Sequence, residues 1–279
     1  MRVAHLGPRG TYTEVAALSW QPDATLLAVP SVSAAVEAVL AGEADAAVCA
    51  MENSIEGTAS IETLDLLARE DFQLQVSGEV VVAIQHMLVG APGTDPATAT
   101  EVHSHPSALL QCRQSLARLA PLAKPVAALS TAGSIEAAMR TPGTLAIGNA
   151  RSAEIYGAAI LARDIGDEAG NETRFVALSR EPAPPSGDDK TSIAFTTQHD
   201  RPGSLVELLN LFASRGLNLT RIESRPTRRQ LGTYVFFVDV QGHRDDPLLA
   251  EAITEAAQIT HWLRVLGSYP RWVGTPGSA

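Results

Sequence analysis

Asp45-Ala46-Ala47-Val48-Cys49-Ala50-Met51, running straight into Glu52-Asn53-Ser54-Ile55-Glu56-Gly57, sets the fold class of this chain. Six small or apolar residues without alternation read as a strand buried on both faces, the habit of a sheet flanked by helices. The polar run sits at the carboxyl end of that strand, where open α/β sheets bind ligands. Asn53 or Ser54 would equally serve to cap the next helix, expected over about 59 to 69.

Toward the N-terminus the same grammar repeats. Residues 2–6 read as a strand, Gly7-Pro8-Arg9-Gly10 as a turn, and Thr11 with Glu14 has the spacing of a capping box for a helix ending near Trp20. A glycine turn at a helix N-terminus leaves N–H groups for an anion, but the Gly-x-Gly-x-x-Gly spacing of a dinucleotide site is absent. A strand over 24–29 follows. Val32, Val36, Val39 and Leu40 then recur at helical spacing before Gly42.

Toward the C-terminus, residues 72–89 are strand-like and densest in β-branched residues at Val80-Val81-Val82-Ala83-Ile84, a passage suited to crossing between lobes. The pattern restarts with a strand near 101–103, a helix capped by Ser104-His105-Pro106-Ser107 and running to about 119, and a strand over 126–129. A helix from Ser130-Thr131 to about 140, a strand over 144–147 and a helix after Asn149 come next. Alternating strands and helices predict two α/β lobes with a ligand cleft between them, a two-lobed periplasmic-binding-protein-like (type II) architecture. The expected lobes are about 1–79 plus 150–180, and 80–149.

Asn171-Glu172-Thr173-Arg174-Phe175 closes this region at the lip of the apolar strand Val176-Ala177-Leu178. Strand alternation sends Thr173 and Phe175 to one face and Arg174 to the other, and one of those faces should be a pocket wall. Arg offers a planar fork that matches a carboxylate bidentately; the plainer reading is a strand-end Arg in a surface ion pair.

Residues 181–189, Glu-Pro-Ala-Pro-Pro-Ser-Gly-Asp-Asp, read as a linker too rich in Pro and charge to pack. Beyond it the order βαββαβ over 190–270 predicts an α+β ferredoxin-like domain, with 271–279 as a tail.

At 279 residues, 45% hydrophobic and 5% aromatic, the composition is that of an ordinary α/β protein. The net charge of −10 is uneven: residues 1–189 hold 11 basic and 23 acidic residues, residues 190–279 hold 10 and 8. An acidic body argues against nucleic-acid binding. No apolar run approaches a membrane span and no leader pattern opens the chain, so the expected location is the cytoplasm, with no membrane partner. Cys49 and Cys112 lack metal or disulfide spacing, and neither they nor His103-Ser104-His105 predict a metal site.

Jointly, Gly7-Pro8-x-Gly10-Thr11-Tyr12-Thr13, Glu52-Asn53-Ser54-Ile55-Glu56-Gly57, His105-Pro106-x-Ala108-Leu109 and Asn171-x-Thr173-Arg174-Phe175 resemble, in order, the landmark segments of the prephenate dehydratase family. The small domain resembles an ACT regulatory domain through Arg201-Pro202-Gly203-Ser204-Leu205 and Ile222-Glu223-Ser224-Arg225-Pro226, and Leu266-Gly267-Ser268-Tyr269-Pro270 resembles the family's ending. Ala50, Ser107 and Ser204 depart from the usual Pro, Gln and Ala.

The resemblance implies a lyase that converts prephenate to phenylpyruvate with loss of carbon dioxide and water, without a cofactor. It implies Thr173 as proton donor to the departing hydroxyl, and Arg174 is the expected receptor of a substrate carboxylate. Glu52 is a rival acid if burial raises its pKa, Ser104 a further catalytic candidate, and Thr11, Asn53, Ser54, Asn171 and Phe175 candidate substrate contacts. The ACT resemblance implies feedback by L-phenylalanine at Gly203, Ser204 and Leu205 with Asn218, Leu219 and Glu223, between domains of two subunits, hence a homodimer or a dimer of dimers. Arogenate dehydratase, whose substrate carries an amine in place of the keto oxygen, and a non-catalytic amino-acid sensor are the rival readings.

Overall fold

The computed structural model describes residues 1–128, 131–198, 201–228 and 232–274, without the side chains of 131 and 132. The expected helix start at Ser130 therefore lies outside the described residues. Among the described residues no helix is long and apolar enough to cross a membrane.

Among the described residues three sheets organise the chain. The first lobe contains β1 (Arg2–Leu6), α1 (Tyr12–Trp20), β2 (Thr25–Val29), α2 (Val32–Leu40), β3 (Ala46–Asn53), β4 (Gly57–Thr58), α3 (Ile61–Leu67) and β5 (Gln75–Ala83). The second contains β6 (Met87–Gly90), β7 (Glu101–Ser104), α4 (Pro106–Gln111), α5 (Arg113–Leu119), β8 (Lys124–Ala127), α6 (Thr131–Arg140), β9 (Thr144–Gly148), α7 (Ala150–Tyr156) and β10 (Ala159–Ala162). The chain returns through β11 (Glu172–Ser179), then forms β12 (Asp189–Thr197), α8 (Ser204–Ala213), β13 (Leu219–Pro226), β14 (Tyr234–Gln241), α9 (Pro247–Ile259) and β15 (Thr260–Pro270).

The first sheet runs β2-β1-β3-β11-β5, with β4 hydrogen-bonded to β3. Its β1, β2 and β3 are parallel, whereas β11 is antiparallel to both of its neighbours. The second sheet runs β10-β6-β9-β7-β8. The expected lobe boundaries shift at both crossings. β5 stays in the first sheet through Ala83, and α7 and β10 belong to the second lobe, because β10 pairs with β6 and forms the edge of the second sheet. A four-residue strand carries no local mark of the edge it joins. The small domain has the expected βαββαβ order, with sheet order β13-β14-β12-β15.

Local chemistry accounts for the helix starts. Ser31 accepts from Ala34 N, Ser60 from Thr63 N, and Asn149 and Ser152 form a reciprocal capping box on α7. The cap of α3 is thus Ser60 rather than Asn53 or Ser54. The segment expected to be an unpacked linker ends in order: Asp189 is buried and its carboxylate accepts from Ser186 N and Oγ and from Gly187 N.

One apolar cluster spans both domains, joining Cys49, Met51, Val76, Val176 and Leu178 of the first lobe to Val235, Phe237, Leu266 and Tyr269 of the small domain. At Gly267 the backbone of β15 lies so close to β5 that a Cβ would collide with the Val76 carbonyl. The opposite face of the small sheet, including Ile193, Phe195, Val238 and Val240, is covered by α8 and α9. β11 therefore lies between α1 on one side and the small domain on the other.

Candidate active site

The carboxyl end of β3 meets the start of β11 in antiparallel register, Asn53 opposite Thr173 and Glu52 opposite Arg174. Side chains alternate along a strand, so Asn53 and Thr173 share one face while Glu52 and Arg174 share the other. Just beyond, the register shifts between Arg174 and Phe175, which faces Ala50 with Met51 passed over. Such bulges re-aim side chains and recur next to active sites.

On the Thr173 face, the Asn53 Nδ2 donates to Asn171 Oδ1 at 2.7 Å, to Thr173 Oγ1 at 2.9 Å and to the Glu172 carbonyl at 3.1 Å. Its Oδ1 accepts from Ile55 N at 3.0 Å and Glu56 N at 2.9 Å, which fixes the orientation of the amide. Asn171 Nδ2 continues to Gln111 Oε1 at 2.8 Å, and Gln111 Nε2 donates to Glu56 Oε1 at 2.8 Å. Ser107 Oγ donates to the same Glu56 oxygen. Gln111 and Ser107 belong to the second lobe and the others to the first, so this network crosses the cleft.

Gln111 Oε1 also lies 2.7 Å from His86 Nε2. That oxygen is only an acceptor, so Nε2 carries the proton and Nδ1 is bare; Nδ1 is buried and among the described residues has no partner. Burial holds the His86 ring below its ordinary pKa despite the Gln111 hydrogen bond and the charge of Glu56, keeping it neutral. Tyr12 packs edge-on to His86 and donates its hydroxyl to the Gln85 carbonyl at 2.7 Å, which brings the N-terminus of α1 to the crossing segment. Asn149 Nδ2 donates to the Gly10 carbonyl at 2.9 Å from the second lobe.

Arg174 does not enter this cleft. It is 8% exposed and turned to the other face. Its Nε donates to Glu79 Oε2 at 2.6 Å, Nη1 to Asp239 Oδ2 at 2.5 Å, and Nη2 to the Tyr269 hydroxyl at 2.7 Å. Burial would lower the Arg174 pKa, but Asp239, Tyr269 and Glu79 outweigh it and hold it well above its ordinary value. Burial would likewise raise Asp239, and the charges of Arg174 and Arg221 with hydrogen bonds from Ser192 and Arg174 keep it below. The expectation that Arg174 receives a substrate carboxylate is thereby corrected: its donors are taken by groups of β5, β14 and β15.

Glu52 falls with it. Its Oε2 lies 3.5 Å from Arg174 Nη1 and 3.5 Å from Arg221 Nε, on the face away from Thr173, so it is not the rival acid. Phe175 shares the face of Thr173 but is sealed among Val15, Ala16, Val48 and Val80, and lines no site. Ser104 is fully buried and donates to the Ile147 carbonyl at 3.1 Å, bracing β7 against β9. Ser54 donates to the Gly170 carbonyl and accepts from Glu172 N, both at 2.9 Å. Thr11 caps α1, accepting from Glu14 N, and the carboxylate of Glu14 takes the Gly10 N–H at 2.9 Å. That removes Gly10 from the N–H groups expected to face an anion.

The sequence reading missed Gln111, His86 and Tyr12. A signal existed for the first: Ser107 and Gln111 are four apart on α4, hence on one helical face. Among the described residues no group of three or more His, Cys, Asp or Glu could hold a metal ion.

The expected effector residues are not gathered within one chain. Gly203 to Leu205 open α8, with Gly203 at φ +92°, whereas Asn218 and Leu219 follow the end of that ten-residue helix. The two groups are thus about 15 Å apart along the axis. Glu223 is turned to the first lobe, accepting from Thr58 Oγ1 and pairing with Arg221. Arg225 and Arg228 pair with Asp65, and Arg229 lies outside the described residues.

The model of the prephenate dehydratase family matches residues 3–183, and that of the ACT domain residues 191–258. A prephenate dehydratase of Mycolicibacterium vanbaalenii is 39% identical over 285 residues, covering 96% of this chain and 90% of that protein. The crystal structure of a prephenate dehydratase of Arthrobacter aurescens in complex with L-Phe superposes with a TM-score of 0.89 at 38% identity, over 99% of this chain and 92% of that one. A structure described as GqqA, a novel type of quorum quenching acylase, gives 0.83 at 32% identity over 98% and 99%. By the family models and by identity over nearly its whole length, the chain belongs to the prephenate dehydratase family and ends in an ACT domain.

Proposed function

We propose that the protein dehydrates and decarboxylates prephenate to phenylpyruvate, with Thr173 as the group that meets the departing hydroxyl. The observation that carries this is the 2.9 Å hydrogen bond from Asn53 Nδ2 to Thr173 Oγ1. It makes the oxygen an acceptor, so the hydroxyl proton is left to donate elsewhere, and among the described residues it has no acceptor. A hydroxyl held this way is poised to donate to an oxygen that gains negative charge as its bond to carbon breaks.

The reaction balances on one proton. The ring carboxylate leaves as carbon dioxide, its electrons enter the ring, and the hydroxyl departs, taking up a proton to become water. Threonine is too weak an acid at neutral pH to give that proton outright. It acts by a positioned hydrogen bond while water delivers the proton. The side-chain network around Thr173 is neutral apart from Glu56, so it holds the hydroxyl without drawing the substrate's carboxylates away. Those carboxylates fall to the first turn of α1, where Thr11 Oγ1 takes Glu14 N and the Tyr12 and Thr13 N–H groups have no acceptor inside the helix.

An acyl-transfer reading needs a nucleophile beside a base. Thr173 instead accepts from an amide, and Ser104 donates to a carbonyl. Dehydration is the better match.

Feedback by L-phenylalanine through the ACT domain belongs to the same proposal, as do a homodimer or dimer of dimers and a cytoplasmic location. Gly203 to Leu205 and Asn218 lie at opposite ends of α8, so a site built from both needs a second subunit. Substrate and effector must then weaken each other's binding equally. Purified protein assayed with prephenate and with arogenate, with and without L-phenylalanine, tests the reading: phenylpyruvate from prephenate and its suppression by the amino acid are expected. Turnover of neither substrate would refute it.

A further inference from the structure

The Arg174 guanidinium stands one residue from Thr173, on the opposite face of β11, and two of its partners come from the small domain. Asp239 of β14 and Tyr269 of β15 take Nη1 and Nη2, while Glu79 of β5 takes Nε. Each partner is held in turn. Ser192 Oγ donates to Asp239 and lies 2.6 Å from the Tyr269 hydroxyl. Lys190 Nζ reaches both Glu79 oxygens at 2.8 Å, and Trp272 N donates to one of them at 2.9 Å. Glu79, Asp239, Ser192 and Tyr269 are all buried.

Adhesion alone does not call for these charges. The seam already holds Val76, Val176, Leu178, Val235, Phe237 and Leu266 in one apolar cluster. Replacing a buried ionic cluster by packed apolar groups is commonly neutral or stabilising, and in some proteins such a cluster instead fixes a unique geometry. A fully satisfied polar network rigidifies the backbone it grips. Here it grips β11 where its ladder with β3 is broken by the bulge between Arg174 and Phe175. At that point regular pairing is lost on the β3 side, while the ladder with β5 is continuous from Glu172 to Ala177.

We propose that Arg174, clamped by Asp239 and Tyr269 of the ACT sheet, is a positioning residue for the dehydration step, so that the regulatory domain supplies part of the frame that aims the Thr173 hydroxyl. This rests on the assignment of Thr173 to the departing hydroxyl. A rotation of the ACT sheet against the first lobe would move Asp239 and Tyr269, hence the Arg174 backbone and the residue before it. The coupling element is physically continuous and short.

The test compares three variants of the full-length protein. Tyr269→Phe removes one hydroxyl and Asp239→Asn one charge, both on the clamp. Arg264→Gln loosens the same seam elsewhere, since Arg264 donates to the Arg69 and Leu74 carbonyls and not to β11. Expected are falls in kcat on prephenate of about threefold for Tyr269→Phe and about tenfold for Asp239→Asn, with KM within about twofold, and no change in kcat for Arg264→Gln. Hydrogen exchange of the peptide over 171–178 should quicken in the two clamp variants and not in Arg264→Gln. Should Asp239→Asn fail to fold, Tyr269→Phe carries the test alone. A folded Tyr269→Phe with wild-type kcat and wild-type exchange would overturn the proposal, as would an equal loss of kcat in Arg264→Gln. Wild-type protein inactive on prephenate, with exchange still responding to Tyr269→Phe, would sink the functional reading and leave the clamp standing.

Discussion

On the Thr173 face of β11 the contacts are mostly between neutral groups and one hydroxyl proton is left to donate, whereas on the Arg174 face Arg174, Lys190 and Arg221 meet the buried carboxylates of Glu79 and Asp239, and Nε, Nη1 and Nη2 of the Arg174 guanidinium are each engaged. Both faces are polar and both cross a boundary, one between lobes and the other between domains. The difference lies in saturation. A group that must act on a ligand keeps a donor in reserve, whereas each nitrogen of Arg174, which holds a shape, already has a partner. Chemical power in a side chain, read without its partners, therefore points to the wrong face.

Removing one group from each face should separate them. The largest effect belongs to Arg174→Ala, which leaves Asp239 and Glu79 buried without their cation and should cost about 3–5 kcal/mol of stability in denaturant unfolding. Thr173→Ala should fold normally yet lose at least ~10²-fold in kcat with a smaller change in KM, while Thr173→Ser retains most of the rate. Gln111→Ala, which releases Asn171 and Glu56 across the cleft, should lower kcat/KM by about tenfold. Glu52→Gln should change the pH profile of kcat/KM least of all, because Glu52 sits on the saturated face.

Acid sharpens the same contrast. Asp239 lies below the ordinary carboxylate value because the Arg174 and Arg221 charges overcome burial. A depressed folded value contributes stability that is complete above the ordinary value, about 3.9, and is lost as pH falls through the folded one. Unfolding free energy should therefore begin to fall below about pH 4. Asp239→Asn should be less stable at pH 7 and show a shallower acid decline.

Much of the site was legible. The buried strand β3 with its polar end, the alternation that separates Thr173 from Arg174, and the order βαββαβ all follow from local residue patterns, and all appear. What was illegible is non-local. Glu79 is 95 residues from Arg174, Asp239 is 65 and Tyr269 is 95, and nothing in the Arg174 pentapeptide indicates that three distant strands converge on its guanidinium. An anionic substrate calls for a cation, and Arg174 is the nearest one in sequence to Thr173. The lobe boundary at 150 failed for a similar reason, since the edge that β10 joins is known only once β6 is placed. Gln111 was within reach, one helical turn beyond Ser107, but its amide gains meaning only from Asn171 and Glu56 on the other lobe.

The most direct test of which face acts is a crystal structure of the protein with an unreactive analogue of prephenate in the cleft. The account predicts the analogue's hydroxyl oxygen within about 3 Å of Thr173 Oγ1, its carboxylates toward the N-terminus of α1, and Arg174 still paired with Asp239 and Glu79. A carboxylate of the analogue bound to the Arg174 guanidinium would contradict it.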